Sequence, residues 1–159
     1  MSNSPCKRLV DLPLSLRVDR VDQLADGSHL VIDYKSGRNS LSAWLGERLS
    51  QPQLPLYGVA SGVEGIAFAQ VRARDCKFTG VGTMEGVPGL QSDIEKATSR
   101  SAVEVDSWSG LVEHWRLTLE RLATDFLTGD ARVDPDPNAC NFCGFQSLCR
   151  VALVEEEGA

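Results

Sequence analysis

The sequence lacks the features that would place the protein in a membrane or outside the cell. No apolar run approaches the roughly 20 residues that a membrane-spanning helix needs. The first five residues show no signal-peptide pattern. Five cysteines are an odd number, so a framework of paired disulfides is not expected. These absences predict a protein of a reducing compartment, the cytoplasm, without membrane association.

Basic residues are also scarce. The sequence holds 22 Asp and Glu against 16 Lys and Arg, for a formal net charge of −6. Such a balance argues against a nucleic-acid partner, because phosphate binding normally shows as a basic surface. Seven cations nevertheless crowd the first third of the chain, namely Lys7, Arg8, Arg17, Arg20, Lys35, Arg38 and Arg48. A local basic surface is therefore compatible with the acidic total.

The pattern of apolar residues predicts a mixed α/β domain. Alternating apolar and polar residues indicate strands, and apolar residues at helical spacing indicate helices. The predicted strands cover residues 14–19, 29–34, 66–74 and 77–81, and the predicted helices surround Trp44 and Leu49, follow Pro52 up to Gly62, and cover residues 107–127. The order strand, strand, helix, helix, strand, strand, long helix favours a mixed sheet flanked by helices.

Residues 31–37 carry the acid and the lysine around which the functional prediction is built. Side chains alternate along a strand, so Asp33 and Lys35 are expected on one face. An Asp-Gly turn at Asp26 predicts a hairpin that brings Asp19 beside Asp33. Two neighbouring carboxylates are costly unless a cation neutralises them, and Mg²⁺ favours one or two carboxylates with water or phosphate. A lysine beside them suits phosphodiester hydrolysis, because it can orient water or stabilise phosphate charge.

Simpler interpretations of the same residues stay open at this point. An acid-x-lysine triplet taken alone is more often a surface ion pair. Tyr57 taken alone would be a core residue, and Gln53 a solvated helix residue. Asp22 has the opposite strand parity from Asp19, which favours a role in a turn or an ion pair.

Four stretches taken together resemble one known family. Residues 16–22 (Leu-Arg-Val-Asp-Arg-Val-Asp) and 31–37 (Val-Ile-Asp-Tyr-Lys-Ser-Gly) resemble the core of the PD-(D/E)XK nuclease superfamily. Residues 53–57 resemble the Q-x-x-x-Y motif of its RecB-type branch. Residues 140–149 are similar to the C-x2-C-x5-C ending of iron–sulfur nucleases in that branch, such as AddB-type helicase–nuclease subunits and related DNA-repair exonucleases.

The resemblance implies a restriction-endonuclease-like fold, a mixed sheet flanked by helices with a C-terminal cysteine-rich loop. It also implies a deoxyribonuclease dependent on Mg²⁺ or Mn²⁺. The enzyme would be an exonuclease in DNA repair or recombination, with DNA as partner and a helicase subunit or domain beside it. The implied site comprises Asp19, Asp33 and the backbone carbonyl of Tyr34 as metal ligands, Lys35 as the catalytic lysine, and Gln53 and Tyr57 as residues that touch DNA or support the strands.

The cysteines near the C-terminus form a second candidate site. Cys140, Cys143 and Cys149 supply three thiolates at ligand spacing, one short of the usual four of a 4Fe–4S cluster or a closed zinc site. In the family that the sequence resembles, the fourth cysteine lies well upstream of the first catalytic strand. Cys6 is too close to that strand to match it, and Cys76 is expected to be a small apolar residue.

The resemblance also sets expectations about the extent of the chain. The family has an upstream His or Glu at the metal site, and neither His29 nor His114 matches it. We therefore expect a C-terminal piece of a longer nuclease, with an N-terminally truncated core over 1–134, a cysteine segment over 135–150 and an acidic tail over 151–159. The rival functions are a non-catalytic DNA-binding or scaffold module with a nuclease fold, and a zinc-ribbon-like interaction domain.

Overall fold

The computed structural model describes residues 7–132, 139–141 and 143–149. Contacts divide the chain into two units, Met1–Thr124 and Asp125–Ala159. The described elements in chain order are β1 (Lys7–Leu9), β2 (Leu12–Leu14), β3 (Arg20–Gln23), β4 (His29–Lys35), a 3₁₀ turn (Leu41–Ala43), α1 (Gln53–Ser61), β5 (Gly65–Arg72), β6 (Asp75–Gly82), β7 (Leu90–Gln91), α2 (Ile94–Thr98), α3 (Trp108–Thr128) and α4 (Gln146–Cys149). Within these residues, no helix has both the length and the apolar character that crossing a membrane demands.

A five-stranded mixed sheet lies at the centre of the first unit. Its strand order is β3-β4-β5-β6-β7. β4 runs parallel to β5 and β6 parallel to β7, whereas β3 with β4 and β5 with β6 form antiparallel pairs. β1 and β2 form a separate antiparallel ribbon. The mixed sheet and its flanking helices confirm the predicted α/β, restriction-endonuclease-like fold.

The central strands β4 and β5 are buried on both faces. Odd-numbered residues of β4 and even-numbered residues of β5 face the helices, in a cluster that includes Val31, Ile66, Phe68, Trp44, Leu54, Tyr57, Leu111 and Trp115. Even-numbered residues of β4 and odd-numbered residues of β5 face the opposite side of the sheet. They belong to a smaller cluster of Leu30, Ile32, Ala67, Ala69 and Met84. The near-continuous apolar run of these strands follows from this double burial.

Trp44 ties the helical layer to the sheet. Its ring centroid lies 4.4 Å from that of Phe68 on β5. Its backbone carbonyl accepts a hydrogen bond of 2.8 Å from Nε1 of Trp115 on α3. Because all three side chains are almost fully buried, this packing holds α3 against the face of the sheet that carries Asp33.

The helix predicted around Trp44 and Leu49 is wrong. A single 3₁₀ turn, Leu41–Ala43, forms in its place, and the Ser40 hydroxyl caps it. Glycine disfavours helix, and Gly46 interrupts the segment that would have to continue it. Trp44 and Leu49 are nevertheless buried, so the apolar spacing indicated burial and not helical geometry.

The first predicted strand is wrong in its position. Residues 15–19 lie between β2 and β3, outside any strand. Leu16 and Val18 do pack against the helical cluster, as their alternation suggested. The backbone carbonyl of Arg17, however, accepts a hydrogen bond from the Tyr57 hydroxyl and not from a neighbouring strand. Alternation therefore reflected burial without strand pairing.

The remaining predicted elements are confirmed. A turn at Asp26 and Gly27 joins β3 to β4, with Gly27 at φ +89° and a hydrogen bond of 2.8 Å from the Leu24 N–H to the Ser28 carbonyl. α1 ends at Gly62 in the left-handed conformation that favours glycine. The predicted strand pair after it forms β5 and β6, and the predicted long helix is α3.

We expect Gly80→Ala to destabilise the sheet. A Cβ at this position would lie 2.5 Å from the Ile66 carbonyl oxygen and 2.6 Å from the Ala67 Cβ, so backbone must move. Overpacking of this kind lowers the free energy of unfolding by about 1–3 kcal/mol. Urea denaturation of both variants measures the effect, with Gly37→Ala as control, because a Cβ there meets no atom within 4 Å. Equal stability of the two variants would contradict this account of the sheet.

Candidate active site

Asp33 and Lys35 meet on β4, on the face of the sheet that carries the helices. The Asp33 residue is only 3% exposed, and no hydrogen bond from the described residues reaches its Oδ2 atom. Lys35 Nζ lies 2.7 Å from that oxygen, and the lysine side chain is 33% exposed. The two therefore form an ion-pair contact without hydrogen-bond geometry, buried at the carboxylate and open to solvent at the ammonium.

Asp19 lies next to this pair. It directly precedes β3, and the register that pairs Arg20 with Ile32 places Asp19 in line with Asp33. The Asp19 Oδ2 atom accepts a hydrogen bond of 3.3 Å from the backbone N–H of Tyr34. The hairpin thus brings together the two acids that the sequence singled out, one buried and one exposed.

A polar relay connects Lys35 to the segment before Asp19. Lys35 Nζ donates to Gln53 Oε1 at 3.4 Å, and Gln53 Nε2 donates to the Tyr57 hydroxyl at 3.1 Å. The Tyr57 hydroxyl in turn donates to the backbone carbonyl of Arg17. We call these three hydrogen bonds the Lys35–Arg17 relay. The relay links β4 to α1, and α1 to the segment that precedes β3.

The ring of Tyr34 and the side chain of Asp22 lie on the opposite face of the hairpin. The Tyr34 hydroxyl accepts a hydrogen bond of 3.2 Å from Arg20 Nη1. Arg20 also pairs with Asp22 at 2.6 Å, which confirms the ion-pair role predicted for that acid. The hydrogen bond with Asp22 raises the pKa of the Arg20 guanidinium. Only the backbone of Tyr34 thus adjoins the Asp33–Lys35 pair.

An open groove leads to Lys35. It has a volume of about 340 Å³ and is lined by Lys35, Gln53, Tyr57, Phe68, Leu16 and Leu56, with Gln51 and Pro52. Lys35 Nζ also lies 5.9 Å from the centroid of the Phe68 ring. A substrate group in this groove would therefore contact the ammonium of Lys35 and the apolar side chains of Leu16, Leu56 and Phe68.

Gln70, which belongs to none of the sequence motifs, lies beside Lys35. The β4–β5 register pairs the two residues directly. Gln70 is 3% exposed, and its Nε2 atom donates a hydrogen bond of 2.6 Å to Asp75 Oδ2. The signal was present in the alternation of β5, where an amide follows Ile66 and Phe68 on the buried face.

The donor set around Asp33 fits a hard divalent cation. A buried carboxylate oxygen without a hydrogen bond is an available ligand, and Asp19 supplies a second carboxylate in line with it. Mg²⁺ needs no more than one or two carboxylates, because water or phosphate oxygens complete its octahedron. In the described part of the chain, no three His, Cys, Asp or Glu side chains are grouped to hold a metal, so this would be a two-carboxylate site.

The three C-terminal cysteines do not form a metal site in the described residues. Cys140, Cys143 and Cys149 are not joined by a disulfide among the described residues, and the Cys143 N–H donates to the Cys140 carbonyl at 3.3 Å. Among the described residues their side chains are not grouped to hold a metal, so the described geometry gives no support to an iron–sulfur cluster. Cys76 on β6 is exposed, and Cys6 lies outside the described residues.

Both histidines contact other residues of the first unit. The ring Nε2 of His114 lies 3.3 Å from the Gly46 carbonyl, and His29 Nδ1 lies 3.9 Å from the Glu64 carboxylate.

We expect removal of the Tyr57 hydroxyl to lower the free energy of unfolding more than removal of the Tyr34 hydroxyl; these are the two tyrosines of the chain. Tyr57→Phe leaves the Arg17 carbonyl without its donor in a site where Tyr57 is 5% exposed, and should lower the free energy of unfolding by about 1 kcal/mol. Tyr34→Phe is the matched control, because Tyr34 is 47% exposed, and should change stability by less than about 0.5 kcal/mol. Urea titration compares them, and an equal loss in both variants would refute the relay.

Comparison with known proteins bears on the whole chain. A family model described as the PD-(D/E)XK nuclease superfamily matches residues 6–150. Neither a comparison with curated proteins nor one with solved structures finds a match. The matched range includes every strand and helix described above and all the residues of the candidate site. The chain therefore belongs to the PD-(D/E)XK nuclease superfamily.

Proposed function

We propose that the protein is a metal-dependent deoxyribonuclease of the RecB type, acting as an exonuclease in DNA repair or recombination. The observation that carries the proposal is the buried Asp33 carboxylate beside the Lys35 ammonium, with Asp19 in line on the hairpin. Membership of the superfamily supports nuclease activity with DNA as substrate. The contact between Lys35 and Gln53, the first residue of the Q-x-x-x-Y motif, supports the RecB-type branch.

In this proposal, Asp19 and Asp33 hold Mg²⁺ or Mn²⁺, with the backbone carbonyl of Tyr34 as a further ligand. The ion, when bound, supplies a Lewis acid for the scissile phosphate and its attacking water. Burial of Asp33 excludes competing water from one side of the site. Exposure of Asp19 leaves the other side open to the substrate.

Lys35 is the catalytic lysine in this mechanism. Its ammonium either orients the attacking water or stabilises the negative charge that develops on the phosphate, and preorganised donors are effective in both roles. The Lys35–Arg17 relay supports it, because Gln53 and Tyr57 restrict where the flexible lysine can reach. Gln53 and Tyr57 then act by positioning Lys35, and Gln53, which is exposed, also lies where DNA can touch it.

A second part of the proposal concerns the C-terminal segment, residues 135–150, beyond a nuclease core over 1–134. Cys140, Cys143 and Cys149 would ligate a 4Fe–4S cluster in the complete protein, with a fourth cysteine from elsewhere. Support for this comes from the C-x2-C-x5-C spacing alone. A helicase subunit or domain would deliver the DNA.

We expect Asp33→Ala and Lys35→Ala to reduce metal-dependent DNA hydrolysis by about 100-fold or more, because the first removes a proposed metal ligand and the second removes the cation that would face the reacting phosphate. Degradation of labelled DNA at several Mg²⁺ and Mn²⁺ concentrations measures the loss. Asp22→Ala is the matched control, because Asp22 lies on the same hairpin but pairs with Arg20 on the other face. Cleavage retained by Asp33→Ala in a clean preparation would refute the assignment.

A non-catalytic DNA-binding or scaffold module is the second candidate, because Lys35 already balances the charge of Asp33 without a metal. Calorimetric titration with Mn²⁺ separates the two functions. A nuclease binds Mn²⁺ and loses affinity in Asp19→Ala and Asp33→Ala, whereas a scaffold shows the same heat signal in all three proteins.

The complete protein, purified anaerobically, should contain iron and show visible absorption if the cysteine cluster is an iron–sulfur site. We expect Cys143→Ser to lose most of the iron, because it removes a thiolate ligand. Cys76→Ser should retain it, because that exposed thiol lies on β6, outside the C-terminal segment. Elemental analysis that finds zinc, or equal iron in both variants, would contradict the iron–sulfur assignment.

A further inference from the structure

An exposed hairpin projects from the sheet where β5 turns into β6. β5 ends at Arg72 and β6 begins at Asp75, and these two residues pair across a two-residue turn, Ala73 and Arg74. Residues 71–78, called here the basic hairpin, are all exposed.

The basic hairpin has the opposite charge from the chain as a whole. It carries Arg72, Arg74 and Lys77 against a single acid, Asp75, in a protein of net charge −6. Among the residues that the structure describes, neither Arg72 nor Arg74 makes a side-chain hydrogen bond or ion pair. Lys77 lies 3.5 Å from Asp75 with both side chains about half exposed, and such a surface pair yields readily to another anion.

The single acid of the hairpin is already engaged. Asp75 Oδ2 accepts the hydrogen bond of 2.6 Å from the buried amide of Gln70. This bond ties the carboxylate at the turn end of the hairpin to Gln70 on the neighbouring strand β5. Two guanidinium groups at the turn are therefore left as cations without an anionic partner in the described structure.

Strand register places the hairpin beside the candidate active site. Lys35 on β4 pairs with Gln70 on β5, and Gln70 pairs with Lys77 on β6. Directly paired residues face the same side of a sheet, so Lys35, Gln70 and Lys77 form one row on the face that carries Asp33. With strands about 4.8 Å apart, the backbone at Lys77 lies roughly 10 Å from that at Lys35. One nucleic-acid strand can touch both.

We infer that the basic hairpin binds the phosphate backbone of DNA and guides the substrate strand to Lys35. The inference rests on the proposed nuclease function for its direction toward Lys35, but binding itself does not require hydrolysis. Guanidinium groups match phosphate geometry with paired N–H donors. Contacts of this kind carry no base sequence, which suits an enzyme that degrades DNA of any sequence.

Arg74 permits a gentle test. Its φ of 65° lies in the left-handed region, which asparagine and glycine adopt at least as readily as arginine. Arg74→Asn therefore removes the charge without disturbing the turn, and Arg72→Gln removes the second charge at an exposed strand end. The matched control is the double variant Lys96→Gln/Arg100→Gln, which removes two exposed cations near α2 and gives the same net charge.

The test is the affinity of each protein for labelled DNA, measured by fluorescence anisotropy in EDTA and over a range of salt concentrations. The variant Arg72→Gln/Arg74→Asn should lose about tenfold in affinity or more. Its slope of log K against log salt should be shallower by roughly 1.4 to 1.8, the loss of two phosphate contacts. The control variant should keep the wild-type slope. Unchanged slope in the hairpin variant, equal loss in the control, or no DNA binding by the wild-type chain each overturns the inference.

The same proteins separate this inference from the proposed function. In Mg²⁺, the hairpin variant should show a raised KM with kcat unchanged, because Asp33 and Lys35 are untouched. If Asp33→Ala still cleaves DNA while the hairpin variant loses binding, the nuclease assignment fails and the binding surface stands. If Asp33→Ala is inactive while the hairpin variant binds and cleaves as wild type, the hairpin inference alone fails.

Discussion

The contact between the Asp33 carboxylate and the Lys35 ammonium is the constraint on which the first unit depends. A carboxylate with 3% exposure is costly to leave without a compensating charge. Lys35 compensates it from the end of the same strand, where the side chain still reaches solvent. This arrangement is possible because β4 lies between β3 and β5 in the sheet. The neighbouring strands bury Asp33, whereas Lys35 lies at the end of β4, where its side chain is accessible to solvent.

The geometry of the site therefore depends on packing some distance away. The Lys35–Arg17 relay runs through α1, and α1 is held by the buried side chains of Leu54 and Tyr57. Trp44 connects the same helical layer to Phe68 on the strand beside Asp33. A change in the helical layer can thus move a flexible lysine without touching it. The short helix α1 carries this role because Gln53 and Tyr57 are four residues apart and so lie on one face of it.

Net charge is a poor guide to the surface that matters in this chain. The total of −6 argued against a nucleic-acid partner, yet the chain belongs to a nuclease superfamily. One group of acids, Glu95, Glu104 and Asp106, lines a separate cavity of about 550 Å³. Two cations, Lys35 and Arg72, lie at the ends of the central strands β4 and β5. Electrostatic attraction between exposed charges is screened beyond about 8 Å in physiological salt, so the local distribution of charge decides what a surface can bind.

The sequence by itself determined the α/β class, the hairpin at Asp26, and the shared face of Asp33 and Lys35, because strand alternation and Asp-Gly turns are local properties. It could not determine that residues 15–19 lie outside the sheet or that Trp44 follows a single 3₁₀ turn, since both depend on partners distant in sequence. Tertiary structure alone decided the Lys35–Gln70 pairing and the Lys35–Arg17 relay. Parallel strand register and helix docking bring residues together across many intervening positions, and no local pattern encodes which atoms then meet.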